Sequence, residues 1–405
     1  MSIVNNSVIS INKNHCSGCG LCAEKCPKSC IKMLVNEEGF LVPVIDQSAC
    51  VNCGICLKSC TATNAVDNLF YSAERKFFCA IINDEILLKK SSSGGIFGII
   101  AERYIKNGGF VCGCVYNEKI EAVHILTNKI KDIERMYGSK YVQSKAYPCF
   151  KEIKVLLDQS KEILFVGTAC QIAGLRNYLE KDYKGLLCVE ILCHGVPSPK
   201  LFADYVAHLE KKLGGKVLDV QFRNKEKHGW GSEHRTCVFY LKGGKVKKYR
   251  PVLPAYFSAF FYGLNLRESC YKCRYAKSER IADLTIGDFW GAFAKYGKRF
   301  NEGISVVSIN SEKGNNVISA VREKFKFYDE LTESEAVKSN DNFEHPIKRP
   351  KERDDFYKGV YKKGYKGLWK KTYFTKTYRK KTLASIYGAF VPAKIRFALH
   401  RKKGK

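Results

Sequence analysis

The stretch CSGCGLCAEKCP (Cys16 to Pro27) and its echo CVNCGICLKSC (Cys50 to Cys60) decide how the rest of the chain is read. Each row spaces its four thiols two, two and three residues apart. Three closely spaced thiolates can wrap one iron–sulfur cube, and the offset fourth thiol reaches across to a second cube. The spacing therefore predicts one [4Fe-4S] cluster on Cys16, Cys19, Cys22 and Cys60, and another on Cys50, Cys53, Cys56 and Cys26. Gly18, Gly20 and Gly54 remove side chains where the loops close tightly. A structural zinc site would place two Cys-x2-Cys pairs far apart. A disulfide framework suits a secreted chain. Neither fits two duplicated rows as well as a two-cluster, bacterial-type ferredoxin domain does.

The chain has 405 residues, enough for two or three domains with their own cores. Met1 to Asn14 lacks a basic stretch followed by an apolar run, so a secretory signal is not expected. No apolar run approaches the roughly 20 residues that cross a bilayer. Thiolate clusters need a reducing compartment, which points to the cytoplasm. Charge is strongly basic, +29 overall. The segment Lys351 to Lys405 holds 18 basic against 3 acidic residues, about half of that excess.

Beyond Cys60, residues 61–76 read as a connector, followed by strands at Phe77 to Ile82 and Ile86 to Leu88. SSSGG (Ser91 to Gly95) runs into a helix with one apolar face, closed by Gly108 and Gly109. Strands at Phe110 to Tyr116 and Ala122 to Thr127 precede a short helix at Ile130 to Met136. YGSKYVQS (Tyr137 to Ser144) is a polar loop. A helix at Phe150 to Gln159 is followed by two buried strands. Ile163 to Gly167 ends in Thr168-Ala169-Cys170, and Leu186 to Leu192 ends in Cys193-His194-Gly195. Helices follow both, the second opening on Pro199. Alternating strands and helices predict an α/β layer with functional groups at the strand C-termini. Strands fill residues 216–249, with a turn at Lys242 to Lys245. An aromatic helix at Ala255 to Asn265 leads to Cys270 and Cys273. A strand from Asp283 meets a glycine-lined turn at Asp288 to Gly291. A strand at Ile304 to Asn310 and a helix at Asn315 to Phe325 end the body.

Cys170, Cys193, Cys270 and Cys273 are the thiols the sheet can bring together, and either a third [4Fe-4S] cluster or zinc would accept them. Cys30, Cys79, Cys112, Cys114, Cys149, Cys188 and Cys237 read as small buried residues, with Cys30 the most ambiguous. Ser91 to Gly95 at a helix start is either an anion site or a plain N-cap. Gly138, Ser139 and Lys140 offer similar phosphate-binding groups. His194 is either a proton donor or a structural imidazole, and Asp283 and Asp288 are equally readable as turn caps. No G-x-G-x-x-G opens a strand–helix unit, which disfavours a nicotinamide Rossmann domain.

Taken in order, SSSGGIFGIIAE, YGSKYVQS, FVGTACQIAGLR, ILCHGVPSPKLF, CYKCRYA and DLTIGDFWG resemble the family of coenzyme F420 hydrogenase/dehydrogenase beta subunits, here preceded by a two-cluster ferredoxin domain. The resemblance covers roughly Cys16 to Phe325. It implies a flavin-binding α/β body with a mixed sheet and a non-covalent FAD beside a [4Fe-4S] cluster, favouring iron–sulfur on Cys170, Cys193, Cys270 and Cys273. By the same resemblance Ser92, Ser93, Gly94, Gly95, Gly138, Ser139, Lys140, Tyr141, Gln143, Gly167 and Thr168 are expected to hold the flavin, with His194 and Asp288 at the chemistry. Ala169 stands where many relatives carry proline. The implied domains are residues 1–64 (ferredoxin), 65–160 and 161–335 (the family's N- and C-terminal regions) and 336–405 (basic, aromatic tail).

The implied activity is that of an oxidoreductase joining one-electron clusters to a flavin that exchanges hydride with a small substrate. That substrate is a deazaflavin coenzyme or, in branches with fused ferredoxin domains, a polysaccharide-pathway intermediate. A non-catalytic electron-relay subunit is the alternative. A ferredoxin-like redox protein is the expected partner. The tail alternates Lys and Arg with Tyr357, Tyr361, Tyr365, Trp369, Tyr373, Phe374, Tyr378 and Tyr387, and Leu383 to Leu399 fits a short amphipathic helix. It reads as an arm for anionic membrane surfaces at the inner face or as a segment docked on the body. Nucleic-acid binding is disfavoured, because no fold motif for it accompanies the charge.

Overall fold

The computed structural model describes residues 6–71, 74–225, 229–230, 236–249, 255–297, 302–338 and 340–362. The ferredoxin unit pairs strands β1 (Ile31–Val35) and β2 (Leu41–Ile45) antiparallel. Two short helices, Leu21–Glu24 and Ile55–Lys58, each follow a left-handed glycine, Gly20 at φ 78° and Gly54 at φ 76°. Their equivalence is the structural form of the sequence duplication. A Cβ on Gly20 would overlap the Tyr147 ring, so the body closes directly on this loop.

The body is built on an eight-stranded sheet. In chain order its members are β3 (Lys76–Ile82), β4 (Phe110–Tyr116), β5 (Ala122–Thr127), β6 (Ile163–Gly167) and β7 (Leu186–Ile191), completed after an excursion by β11 (Leu284–Asp288), β12 (Ser305–Ile309) and β13 (Phe325–Leu331). The spatial order is β13-β3-β12-β11-β7-β6-β4-β5. The centre, β4, β6, β7 and β11, is parallel, and the pairs on either side are antiparallel. β6 (ILFVG) is buried at every position, as a strand covered on both faces must be. Register places Gly167 opposite Glu190 and Ile286 opposite Ile191, so three parallel strands end at one edge. The excursion contributes a separate antiparallel sheet of β8 (Val217–Asn224), β9 (Thr236–Leu241) and β10 (Val246–Tyr249). It packs with the helices Pro199–Leu213 and Ala255–Phe261 in an aromatic core.

Several local expectations change. Residues 85–90 form a helix where a strand at Ile86 to Leu88 was expected. Asp84 accepts hydrogen bonds from the N–H groups of Ile86 and Leu87 at 3.0 and 2.9 Å, and this N-cap outweighs the β-branched Ile86. The helix expected over Asn315 to Phe325 spans Glu312–Ser319 and stops short of Phe325, where β13 begins and pairs with β3; a further helix, Glu333–Lys338, follows. The connector holds a turn of 3-10 helix, Asn64–Leu69, whose Val66 is buried; Arg176 Nη1 donates to Leu69 O at 2.7 Å.

The first part of the basic tail packs into the body. Arg353 is 1% exposed and grips Glu38 of the β1–β2 turn with two hydrogen bonds, 2.7 and 2.6 Å. Tyr361 OH donates to Glu38 O at 2.8 Å, and Tyr357 OH to Asn265 O at 2.8 Å. Residues 363–405, including the amphipathic segment Leu383 to Leu399, lie outside the described residues. Among those described, no helix is long and apolar enough to cross a membrane.

Candidate functional site

Three thiol groups lie in sequence from the surface inward. The outermost, Cys26, Cys50, Cys53 and Cys56, lines one small cavity, joined by Cys30, whose Sγ lies 3.4 Å from that of Cys26. This is the cross-row set expected from the spacing. Cys16, Cys19, Cys22 and Cys60 form the next group. Burial and mutual repulsion of their thiolates push Cys22 up strongly and Cys60 up to about 12. Cys19 Sγ lies 3.4 Å from Thr61 Oγ1, and Tyr275 OH donates to Thr61 O at 3.3 Å. Thr61 and Tyr275 therefore stand between this group and the body.

The third group is Cys170, Cys193, Cys270 and Cys273, all lining a single cavity of about 350 Å³. Cys170 opens the helix Ala169–Leu179, which begins where β6 ends. Thr168 caps that helix: its N–H donates to Gln171 Oε1 at 3.0 Å, and its Oγ1 lies 3.2 Å from Cys170 Sγ. Cys193 follows β7, and Cys270 and Cys273 sit on a 3-10 turn, Glu268–Lys272, and its C-cap. Burial raises all four thiols, Cys170 to about 12 and Cys270 and Cys273 to about 11. Bound as thiolates, they would have their charge balanced by a metal centre rather than by protons. The ferredoxin residues His15, Ser17 and Thr61 line the same cavity.

Arg267, 4% exposed, pins the two units together. Its Nε donates to Cys16 O at 2.6 Å and its Nη1 to Gln143 Oε1 at 3.1 Å, while Gln143 Nε2 donates to Ser17 O at 2.8 Å. Gly174 on the Cys170 helix lacks a Cβ where one would lie 3.2 Å from Cys19 Cβ, which lets the loop approach. Glu190 and Arg280, a buried ion pair at 0% and 3% exposure, complete the cavity wall.

The residues expected around a flavin fall into two sets. Ser92, Ser93, Gly94, Gly95, Gly138 and Ser139 form one joined lip beside the start of the helix Ile96–Lys106. Ser139 N–H donates to Ser92 Oγ at 2.8 Å, Ser93 Oγ to Ile304 O at 2.7 Å and Gly94 N–H to Ser305 Oγ at 2.9 Å. The others have local duties. Lys140 Nζ donates to the carbonyls of Arg135, Tyr137 and Gly138, closing the preceding helix. Tyr141 packs its ring against Phe222, Phe257 and Phe260. Gln143 holds the ferredoxin loop, Thr168 caps a helix, and Gly167 leaves room for the Gln171 side chain of that cap.

His194 lines the thiol cavity, its ring 5.1 Å from Phe260. Asp288 sits elsewhere, at the end of β11. It pairs with Arg223 and accepts a hydrogen bond from Trp230 Nε1 at 3.2 Å. Trp230 and Trp290 stack at 5.0 Å, with the Arg223 guanidinium 5.8 and 5.4 Å from their rings. Lys225 Nζ donates to Ser93 O and Glu302 O, both at 2.7 Å, tying this cluster to the lip. Burial lowers Lys225 to about 7. Sequence reading had missed Arg223, Lys225, Trp230, Trp290, Arg267 and the Glu190–Arg280 pair. Only Arg267, three residues before Cys270, carried a positional hint.

Residues 160–333 match the family described as the C terminus of the beta subunit of coenzyme F420 hydrogenase/dehydrogenase. That segment of the chain is similar to this family of beta subunits. Residues 15–64 match a 4Fe-4S dicluster domain. The beta-subunit segment thus holds the four inner thiols, and the dicluster segment holds the eight outer ones. The chain is also similar to the F subunit of F(420)H(2) dehydrogenase from Methanosarcina mazei, 26% identical over 209 residues. That match covers 48% of this chain and 59% of the relative, so the chain spans under two thirds of the curated protein it matches. A chain in a xenon-derivatised structure of the F420-reducing [NiFe] hydrogenase complex from Methanosarcina barkeri is similar at 18% identity and a TM-score of 0.43, covering 76% of this chain and 94% of that one. The protein is an iron–sulfur protein related to the F420 hydrogenase/dehydrogenase beta subunits.

Proposed function

We propose that the chain is an oxidoreductase that moves electrons through its two ferredoxin clusters and a third [4Fe-4S] cluster on Cys170, Cys193, Cys270 and Cys273 to a non-covalent FAD. The observation that carries this reading is the shared cavity: four body thiols and four ferredoxin residues, His15, Ser17, Thr61 and Ala62, line one space of about 350 Å³. Four thiolates suit either zinc or a cube, and the likeness of residues 160–333 to the beta-subunit family is what favours the cube.

The N-terminus of the helix Ile96–Lys106, which opens beside the Ser92–Ser139 lip, supplies a positive dipole end for the FAD phosphates. When bound, FAD collects single electrons and exchanges them as a hydride. Arg267 and Gln143 hold the ferredoxin loop against the body, and the Glu190–Arg280 pair keeps a charge-balanced wall beside the inner thiols. Asp288, set by Arg223 and Trp230, is the carboxylate on the substrate side, and His194 is the proton-carrying group on the cavity side.

The name of the Methanosarcina mazei relative supports a deazaflavin of the F420 type as the hydride partner. A polysaccharide-pathway intermediate is the other substrate class for the same site. The relative is named as a subunit, and this supports the second reading, an electron relay whose chemistry lies in a partner. Anaerobic purification followed by release and quantification of flavin tests the FAD site. About one FAD per chain, oxidised by F420 on mixing, supports the enzyme. Flavin that reoxidises only with a protein partner supports the relay, and absence of flavin contradicts the enzyme.

A further inference from the structure

All nineteen cysteines lie within the described residues, and Cys53 alone is exposed. It lines the small outer cavity with Cys26, Cys50 and Cys56. The surface around it is apolar, with Val51 at 58%, Ile55 at 39% and Ile9 at 51% exposure. Ile9 belongs here because a Val8 backbone group hydrogen-bonds Cys56 and Asn6 packs against Gly54. Together Val51, Ile55 and Ile9 offer apolar area that a docked partner would bury.

The rim is cationic. Lys28 and Lys58 are exposed beside this face. The nearby Asp46 has its carboxyl lowered mainly by the Ser48 hydroxyl, with Lys32 close enough to contribute. Lys25 is already used by Glu180, leaving the other lysines to face outward. Residues 1–64 hold five basic and four acidic residues, so the positive charge at this face is local, on Lys28 and Lys58, and acts on a partner most strongly at low salt.

We propose that this face docks an acidic one-electron carrier protein, which exchanges electrons with the outer cluster beside Cys53. The inference rests on the electron path proposed above. The apolar centre gives the short contact, and the lysine rim orients a carrier of opposite charge. In each encounter the carrier loses one electron and the outer cluster gains one. Two encounters and one proton make up a hydride equivalent.

The test uses the full, anaerobically purified chain and a reduced, acidic [2Fe-2S] ferredoxin as probe. Bleaching of the iron–sulfur absorbance is followed by stopped flow, with dithionite as a small reductant that needs no docking surface. The second-order rate with the ferredoxin falls as salt rises. Ile9→Glu with Ile55→Glu, and separately Lys58→Glu, lower it about tenfold at low salt, with iron content and dithionite bleaching unchanged. Unchanged ferredoxin rates in both variants overturn the proposal. So does a loss that follows Lys272→Glu at the inner cavity instead, or a dimer of this chain that the Ile9→Glu/Ile55→Glu variant dissociates. A chain that dithionite does not bleach contradicts the electron path itself, and the docking surface with it.

Discussion

Single residues decide how the two units meet. Gly20 holds φ 78° with the Tyr147 ring where its side chain would be. Gly20→Ala incurs the left-handed penalty of about 1–2 kcal/mol and must also displace the ring. The expected outcome is loss of iron from the purified protein together with a lower thermal midpoint, both measurable on the same sample. Lys225 gives a pH signature. Its folded value, lowered to about 7 by burial, lies below its ordinary 10.5, so between these values the unfolded chain holds the extra proton. Stability therefore rises with pH across that window, by at most about 1.4 kcal/mol per pH unit from this group. Urea midpoints at pH 7 and 9 should show the rise in the native chain, and Lys225→Met should remove it.

At the scale of elements, the C-terminal segment is a strap. Arg353 reaches Glu38 and Glu268, at 3.2 Å for the second, and also donates to Leu266 O at 2.9 Å. It thereby joins the ferredoxin turn to the segment that carries Cys270. Arg353→Met leaves Glu38 without its cation, while Glu268 keeps Arg349, at a cost of about 1–3 kcal/mol. Limited proteolysis should then release the ferredoxin unit sooner, and adding Glu38→Leu should recover part of the loss.

Elements also show what the sequence made legible. The strand end at Gly167 could be read to the residue and that of β7 to within one, Leu192 expected against Ile191 found, because mainly apolar runs stopped at small or reactive residues. The cysteine rows could be read because cluster ligation fixes spacing. β13 was not visible, since FKFYDEL alternates too weakly to announce a strand and is held mainly by pairing with β3. The helix Glu85–Lys90 depended on one aspartate cap. Arg353 looked like one more tail charge, because only the fold reveals that Glu38, 315 residues away, is its partner. Arg223 and the two tryptophans come together for the same non-local reason.

In the molecule as a whole, two domains form one continuous object. The ferredoxin unit sits with Cys19 against the Cys170 helix, and the inner cavity opens between the units. A wire of this kind works only if the inner thiols hold a redox centre. The most direct test is iron, sulfide and zinc analysis of the anaerobically purified chain, beside a Cys170→Ser/Cys270→Ser variant. About twelve irons and no zinc in the native protein, falling to about eight in the variant, is the predicted result. About eight irons with one zinc in the native protein, the zinc lost in the variant, would contradict it.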